Sequence, residues 1–167
     1  QRAEVPEIVG RLMAARHVAL DGAADHLDPT LKATMPDPSV LLDMDRAAER
    51  IASVVMAGGR LGILADYDVD GATSAALILR WAAALGVPCG LHVPDRVMEG
   101  YGPNLPALLR LKEEGADLVV TVDCGTTAFA PLEGAADAGI AVVVLDHHAA
   151  EERLPPTVAL VNPNRVD

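Results

Sequence analysis

Three short segments of the chain carry clusters of residues that bind cations or phosphate groups. The segment DYDVDG (66–71) places three carboxylates within five residues. The segment VDCG (122–125) adds a fourth carboxylate, and DHH (146–148) adds a carboxylate and two imidazoles. Carboxylates this close together repel one another and raise one another's pKa values unless a cation compensates their charge. The three segments therefore indicate metal binding.

The DYDVDG segment is compatible with more than one structure. A solvated acidic turn is the simplest interpretation. The spacing also matches the start of a calcium-binding EF-hand loop, but the twelfth position of that loop would be Leu77 instead of a bidentate Glu. An apolar strand, not a helix, also precedes the segment. We therefore expect a strand-to-helix turn whose backbone N–H groups and carboxylates together favour a metal-held phosphate.

The other two segments are less specific when each is taken alone. Asp123 could simply cap a helix. Cys124 has no CxxC partner to support a zinc site, so we expect it to be a small buried residue. Two histidines directly after Asp146 are harder to explain without metal or phosphate. Side-chain alternation along an extended segment predicts that His147 and His148 point in different directions.

Buried strands and helices must position these segments. From Arg60 onward, short apolar runs alternate with Ala-rich stretches that are typical of helices. Such runs suit strands buried on both faces of a parallel sheet. We predict an α/β fold with a doubly wound, mainly parallel five-stranded sheet and helices on both faces. The strands are expected at 61–65, 87–93, 117–122, 140–145 and 157–161, the helices at 71–85, 103–114 and 127–138, and helix-ending glycines at Gly86, Gly115 and Gly139.

The first 44 residues have a different pattern. They contain a possible helix at Val5–His17 and a polar stretch, rich in Asp and Pro, at residues 21–38. An amphipathic helix follows at residues 45–60, where two glycines end it. We therefore predict a helical N-terminal extension, residues 1–44, before a catalytic domain at residues 45–167.

Composition excludes several classes of protein. Disorder is not expected, because 51% of the residues are hydrophobic. No apolar run approaches the about 18–20 residues of a membrane-spanning helix, so we expect no membrane association. Two cysteines suit a reducing compartment, which favours a cytoplasmic location. A net charge of −11 argues against a broad basic surface for nucleic acid but permits an acidic, cation-binding pocket.

In this type of fold, chemistry takes place beyond the carboxyl ends of the strands. The acidic segments should therefore surround one cavity that holds too many anions for a single cation. We predict two divalent cations about 3.5–4 Å apart, which is the arrangement that hydrolyses phosphate esters with a bridging hydroxide. Carboxylate and imidazole ligands favour Mn²⁺, with Mg²⁺ as the alternative. The expected ligands are Asp66, Asp68, Asp70, Asp123 and His147, with Asp146 as a further candidate.

Taken in order, DYDVDG, VDCG and DHH resemble the first three motifs of the DHH phosphoesterases. VPDRVMEGYG (93–102) and LVNPNR (160–165) resemble the RecJ-type branch of that family, which degrades single-stranded DNA in the 5′→3′ direction. The resemblance covers roughly residues 40–167. It implies a metal-dependent exonuclease of DNA repair and recombination, with single-stranded DNA as substrate and a single-strand-binding protein and a helicase as partners.

The resemblance also implies roles for individual residues. Asp123 would bridge the two cations, and Asp66 would replace a histidine that many family members have at the position of Leu64. His148 would donate to the phosphate. A glycine-rich turn that caps the next helix is the alternative interpretation of the 93–102 segment. The implied catalytic residues are Asp123, His147 and His148, and the implied substrate contacts are Arg96, Glu99, Tyr101, Asn162, Asn164 and Arg165.

The sequence departs from the family pattern towards its end. A further metal-binding Asp, a helical connector, a DHH-associated domain and an oligonucleotide-binding fold have no counterpart before Asp167. We therefore expect the N-terminal part of a longer enzyme, with DNA bound mainly by other domains and little or no activity in the isolated chain. Two alternatives stay open: a phosphodiesterase for small molecules or short oligonucleotides (nanoRNA or cyclic dinucleotides), and a non-catalytic repair or replication scaffold.

Overall fold

The computed structural model describes residues 5–167, and the chain divides into two compact units, Gln1–Pro38 and Ser39–Asp167. The described part of the first unit is helical, as predicted. The expected domain boundary between residues 44 and 45 stays a prediction, because compactness alone does not define a catalytic domain. The helices of the first unit are α1 (Glu7–Ala15), α2 (Ala23–Leu27) and α3 (Leu31–Thr34).

The second unit is built on five parallel strands in the order β2–β1–β3–β4–β5. Each predicted apolar run forms one of these strands, so the predicted α/β fold is confirmed. Within residues 5–167, no helix is both long enough and apolar enough to cross a membrane. The elements are α4 (Met44–Met56), β1 (Leu61–Ala65), α5 (Val69–Leu85), β2 (Cys89–His92), α6 (Leu105–Glu113), β3 (Leu118–Val122), α7 (Phe129–Asp137), β4 (Val142–Leu145) and β5 (Ala159–Val161).

Helices cover both faces of the sheet. Successive side chains of a strand point to opposite faces, and both faces are apolar here. Ile63 and Val120 pack with residues of α4 and α5, whereas Leu64 and Val119 pack with residues of α6 and α7. All four side chains are at most 1% exposed. Burial of each contributes about 1.5–3 kcal/mol, which explains why near-continuous apolar runs form these strands.

The predicted ends of the helices are confirmed at three glycines. Gly86, Gly115 and Gly139 have φ values of 69°, 91° and 67°, a region that glycine adopts without steric cost. Strand β2 is shorter than predicted. The Val87 N–H completes the end of α5 by donating to the Ala82 carbonyl, and proline at the next position has no N–H to donate.

The register of the sheet aligns the carboxyl ends of four strands. Ala65 pairs with Val122, Val122 with Leu145, and Leu145 with Val161. The chain also leaves β1 for β2 on one side and returns to β3 on the other side, which creates a crevice between the ends of β1 and β3. The residue that follows each aligned end therefore reaches the same edge: Asp66, Asp123, Asp146 and Asn162.

Candidate metal centre

The four residues that follow the aligned strand ends form a buried polar floor. Asp66, Asp123, Asp146 and Asn162 are 2%, 4%, 8% and 2% exposed. Burial of a charged group is costly unless a partner compensates it. Within the described residues, the buried oxygens Asp66 Oδ1 and Asp123 Oδ2 accept no hydrogen bond. These two orphaned oxygens fit a bound cation, which would compensate both carboxylates.

Two groups of side chains have the geometry of a metal site. The first contains Asp66, Asp68 and Asp123, and the second contains Asp123, His147 and His148. In each group, one donor atom from every residue lies within 4.8 Å of the others. Asp123 belongs to both groups, and a shared carboxylate is the usual bridge in sites with two metal ions. The donors are oxygen and imidazole nitrogen, which suit Mn²⁺ and, on the oxygen side, Mg²⁺.

Asp123 has an unusual backbone conformation at the end of β3. Its φ of 61° lies in the left-handed region, which costs a residue other than glycine about 1–3 kcal/mol. The Asp123 N–H nevertheless donates to the Leu145 carbonyl at 2.9 Å, so the neighbouring strand holds this turn. Burial first, and then the nearby Asp68 carboxylate, raise the pKa of Asp123. The protein thus holds a strained, partly compensated carboxylate at the centre of the candidate site.

Asp68 caps helix α5. Its Oδ1 accepts the N–H groups of Asp70 and Gly71 at 2.9 and 3.1 Å. The Gly71 N–H, followed by the contact with Asp123, lowers the pKa of Asp68. Phosphate binding by this turn stays a prediction, and a phosphate would compete with Asp68 for these two N–H groups.

The first turn of α5 requires a glycine at position 71. A Cβ atom there would lie 2.2 Å from the backbone oxygen of Asp66, which no real Cβ contact approaches. The close approach brings the first turn of the helix against the end of β1. Asp70, which is exposed, reaches the rim of the site from this turn, with its Oδ2 3.9 Å from His147 Nε2.

The two histidines lie side by side. Their ring centroids are 4.8 Å apart and the rings are tilted by 41°. His147 Nε2 is 2.9 Å from Asp123 Oδ1, whereas His148 Nδ1 is 2.7 Å from Asp146 Oδ1. They have different partners, as alternation predicts, but a bend at His148 interrupts the extended backbone and leaves both rings near Asp123. The hydrogen bond to Asp146 raises the pKa of His148.

Asp146 organises the backbone and belongs to neither group of candidate ligands. Its oxygens accept the N–H groups of Thr126 at 2.9 Å and of His147 at 2.7 Å. Burial raises the pKa of Asp146, but hydrogen bonds from Thr126 and His148 outweigh it and lower the pKa to about 2. The sequence analysis assigns no role to Thr126. The sequence feature that relates it to the site is its position in the same turn as Asp123, three residues further along the chain.

The 93–102 segment contacts the site through Tyr101 and approaches it through Arg96. The Arg96 guanidinium lies over the Tyr67 ring, 5.2 Å from its centroid, and the Tyr101 hydroxyl lies 3.2 Å from His148 Nδ1. Glu99 is turned into the segment, where it accepts the Asp95 N–H at 3.0 Å. Tyr101 is thus placed beside His148, and Arg96 beside Tyr67, which lies between Asp66 and Asp68 in the chain. The Glu99 carboxylate is engaged by Asp95, His92 and Asn104.

The residues predicted as substrate contacts after β5 make hydrogen bonds within the chain. The Asn162 amide donates to the His148 carbonyl at 2.9 Å, and the Asn164 amide donates to the His147 carbonyl. The Arg165 guanidinium donates to Asp43 Oδ2 at 3.0 Å. Their role as phosphate contacts stays a prediction, and the structure shows that such a contact would compete with these bonds.

Cys124 is fully buried, and its pKa is raised first by burial and then by the nearby Asp146 carboxylate. A protonated, inaccessible thiol is neither a metal ligand nor a nucleophile.

Beside Asp123 and His147 lies a cavity of about 410 Å³ with an apolar wall. Residues of that wall are Leu41, Met44, Leu145, Val161 and Pro163.

Comparisons with known proteins agree with this architecture. RecJ from Bacillus subtilis, a single-stranded-DNA-specific exonuclease, is 32% identical over 165 residues, which cover 99% of this chain and 21% of the relative. Its Escherichia coli counterpart, with the same name, is 36% identical over 166 residues, which cover 99% of this chain and 28% of the relative. The chain thus spans between a fifth and a third of the length of these relatives.

Solved structures show the same fold. A crystal structure of exonuclease RecJ bound to manganese superposes with a TM-score of 0.65 at 36% identity, over 73% of this chain and 31% of the other. RecJ from Thermus thermophilus, in complex with Mn²⁺, gives a TM-score of 0.63 at 30% identity, over 95% of this chain and 24% of the other. A family model described as the N-terminal domain of the DHH family matches residues 60–167, so the chain belongs to the DHH family.

Proposed function

We propose that this chain is the metal-binding catalytic part of a phosphodiester hydrolase, and that the full-length protein degrades single-stranded DNA from the 5′ end to mononucleotides. The observation that carries the proposal is the pair of candidate ligand groups that share the buried Asp123. The names of the relatives support single-stranded DNA as substrate, and two RecJ structures that contain manganese support the choice of metal.

The chain's own residues divide between holding cations and handling the phosphate. Two divalent ions, when bound, would activate a water molecule and neutralise charge on the phosphate. Asp123 would bridge the two sites because it contributes to both groups. His148 holds its ring against Asp146 and Tyr101, so it can donate a proton or a hydrogen bond to a phosphate oxygen. The proposed ligands of the cations, Mn²⁺ in preference to Mg²⁺, are Asp66, Asp68, Asp70, Asp123 and His147.

The loop over the site would receive the DNA backbone. Arg96 is the cation of the 93–102 segment, it lies over Tyr67 between Asp66 and Asp68 in the chain, and a guanidinium suits a phosphate oxygen. Stacking on Tyr67 orients it without neutralising its charge. Tyr101 would contact the substrate beside His148. Glu99 would act indirectly, because its hydrogen bonds hold the loop in shape.

The proposal extends to the setting of the reaction. Residues 45–167 would form the catalytic domain, and residues 1–44 an extension. DNA repair and recombination would supply single-stranded ends, through a helicase and a single-strand-binding protein. A cytoplasmic location is supported by the two cysteines, Cys89 and Cys124, which are unpaired thiols in the described chain.

The test is the nuclease activity of the full-length protein on a 5′-labelled single-stranded oligonucleotide with Mn²⁺. Asp123→Asn keeps the shape of the side chain but removes the charge that two cations would share. It should reduce cleavage to the level without enzyme. The matched control, Asp137→Asn, changes an exposed carboxylate on α7 and should leave activity unchanged.

Two results would contradict the proposal. A fully active Asp123→Asn variant would show that the shared carboxylate has no part in the reaction. Preference for dinucleotides or cyclic dinucleotides over long single strands would instead indicate a small-substrate phosphodiesterase.

A further inference from the structure

Side chains bind all four main-chain polar groups of the two histidines. The N–H groups of His147 and His148 both donate to Asp146 Oδ1, at 2.7 and 3.2 Å. Their carbonyl oxygens accept from the amides of Asn164 and Asn162 respectively. This segment follows β4 and lies in no helix or strand, so side chains replace the hydrogen bonds that regular structure would supply.

We propose that Asn162 and Asn164 are positioning residues, which hold the backbone of His147 and His148 so that both imidazoles stay beside Asp123. This role differs from the substrate contact that the sequence suggests for the two asparagines. It also rests on the proposed function, because the purpose of such positioning is to keep the histidines available to a cation and a phosphate.

The hydrogen bonds of Asn162 leave no donor for a substrate. The residue is 2% exposed, and its Nδ2 donates both to the His148 carbonyl at 2.9 Å and to Thr126 Oγ1 at 2.8 Å. Its Oδ1 accepts the Asn164 N–H at 2.7 Å. An amide has two donor hydrogens, so a phosphate could reach Asn162 only by breaking one of these buried bonds.

Asn162 also connects the ends of three strands. Its partner Thr126, in the turn after β3, is 1% exposed and donates its N–H to Asp146 Oδ2 at 2.9 Å. Asp146 follows β4 and Asn162 follows β5. Asn162, Thr126 and Asp146 therefore form a buried hydrogen-bonded chain that links the turn of Asp123 to the turn of His147.

Asn164 acts on His147, whose imidazole contacts the shared carboxylate. Its amide holds the His147 carbonyl, while the other end of His147, Nε2, is 2.9 Å from Asp123 Oδ1. Loss of the Asn164 amide would release the His147 carbonyl and allow the backbone that positions the His147 imidazole to move. Residues that orient a metal ligand in this way typically change metal affinity by about 10–100-fold when they are replaced.

The exposed position of Asn164 makes it the better test, because its variants should fold. Asn164→Ala removes the side chain, Asn164→Asp keeps its shape without a donor, and Asn164→Gln keeps a donor. Val166→Ala is the matched control, since Val166 lies in the same tail and is 63% exposed. Mn²⁺ affinity of the full-length protein is measured from the paramagnetic resonance signal of free Mn²⁺, with thermal unfolding in the absence of metal as a check on folding.

We expect Asn164→Ala and Asn164→Asp to weaken Mn²⁺ binding about tenfold or more, and Asn164→Gln to recover part of the affinity. Val166→Ala should bind as the unmodified chain does. In the full-length protein, Asn164→Ala should lower kcat with little change in KM for DNA. Asn162→Ala should do the same and should also lower the unfolding temperature, because it leaves buried groups unpaired.

The results that would contradict the positioning role alone differ from the result that would also contradict the proposed function. Unchanged Mn²⁺ affinity in Asn164→Ala and Asn164→Asp would overturn the positioning role alone. A higher KM with unchanged kcat would also overturn it and would restore the substrate contact. Absence of Mn²⁺ binding by the unmodified full-length protein would overturn the proposed function together with this inference.

Discussion

Asp123 Oδ1 and His147 Nε2 lie 2.9 Å apart, although 24 positions separate the two residues in the chain. The contact follows from the register of the sheet. Val122 pairs with Leu145, and the Asp123 N–H donates to the Leu145 carbonyl, so the turn after β3 and the turn after β4 begin side by side. Parallel pairing of two apolar strands thus places a carboxylate and an imidazole where they can share a cation.

The first turn of α5 should not tolerate a side chain at Gly71. The Cβ of Gly71→Ala would lie 2.2 Å from the Asp66 carbonyl oxygen, so the backbone that carries Asp66 and Asp68 must shift. We expect a loss of about 3 kcal/mol in the free energy of unfolding, measured with urea, together with weaker Mn²⁺ binding.

Gly134→Ala is the matched control for this substitution. Its Cβ would also be crowded, 2.8 Å from Leu105 Cδ2, but the obstructing atom is the end of a flexible side chain. A gain of about 1 kcal/mol in helix propensity offsets the crowding, so stability should change little. Equal losses in the two variants would contradict a requirement specific to position 71.

The fold could be predicted from the sequence more completely than the site. Strand β1 matches its apolar run residue for residue, because burial on both faces leaves a signal in every position. The residues that follow the strands could also be identified from the sequence, because the end of each apolar run marks the end of its strand. Which atoms meet depends on register and on turns: the left-handed conformation of Asp123 and the hydrogen bonds of Asn162 and Asn164 have no local signal. Tyr101 reaches His148 from a loop 47 positions away.

Arg96 should contribute to DNA binding through its charge. Removal of one phosphate contact to a single strand should weaken binding and lower the slope of log affinity against log salt by about 0.7. Binding of a single-stranded oligonucleotide to full-length Arg96→Ala, measured over a range of salt concentrations, tests this. Arg153→Ala is the control: its guanidinium lies over Phe129 at 5.0 Å in a similar arrangement but is already paired with Glu133. An unchanged slope in Arg96→Ala would argue against the contact.

Glu99 should stabilise the loop in a manner that depends on pH. The Asp95 N–H, then the Asn104 amide and the His92 imidazole, lower the pKa of Glu99 from its ordinary value of 4.5 to about 2. A carboxylate with a lowered pKa stabilises the folded state above its unfolded pKa and loses this effect as pH falls through the folded pKa. The difference in unfolding free energy between the unmodified chain and Glu99→Gln should therefore be largest near neutral pH and should shrink between 4.5 and about 2. A constant difference across that interval would contradict the role.

Cys124 should be chemically inert in the native protein. It is fully buried, and burial raises its pKa. A thiol reagent should label Cys89, which is half-buried, before Cys124, and should reach Cys124 only after unfolding. Cys124→Ala should keep its Mn²⁺ affinity. Labelling of Cys124 in the folded protein, or loss of Mn²⁺ binding in the variant, would bring back a role as ligand or nucleophile.

The number of Mn²⁺ ions bound per chain tests the central claim most directly, since that claim is that Asp123 joins two metal positions. Titration of the full-length protein with Mn²⁺, followed by the resonance signal of the free ion, should show two saturable sites. Asp123→Asn should weaken both sites together, because the same carboxylate serves both groups of ligands. A single site, or two sites that Asp123→Asn leaves unchanged, would contradict the account.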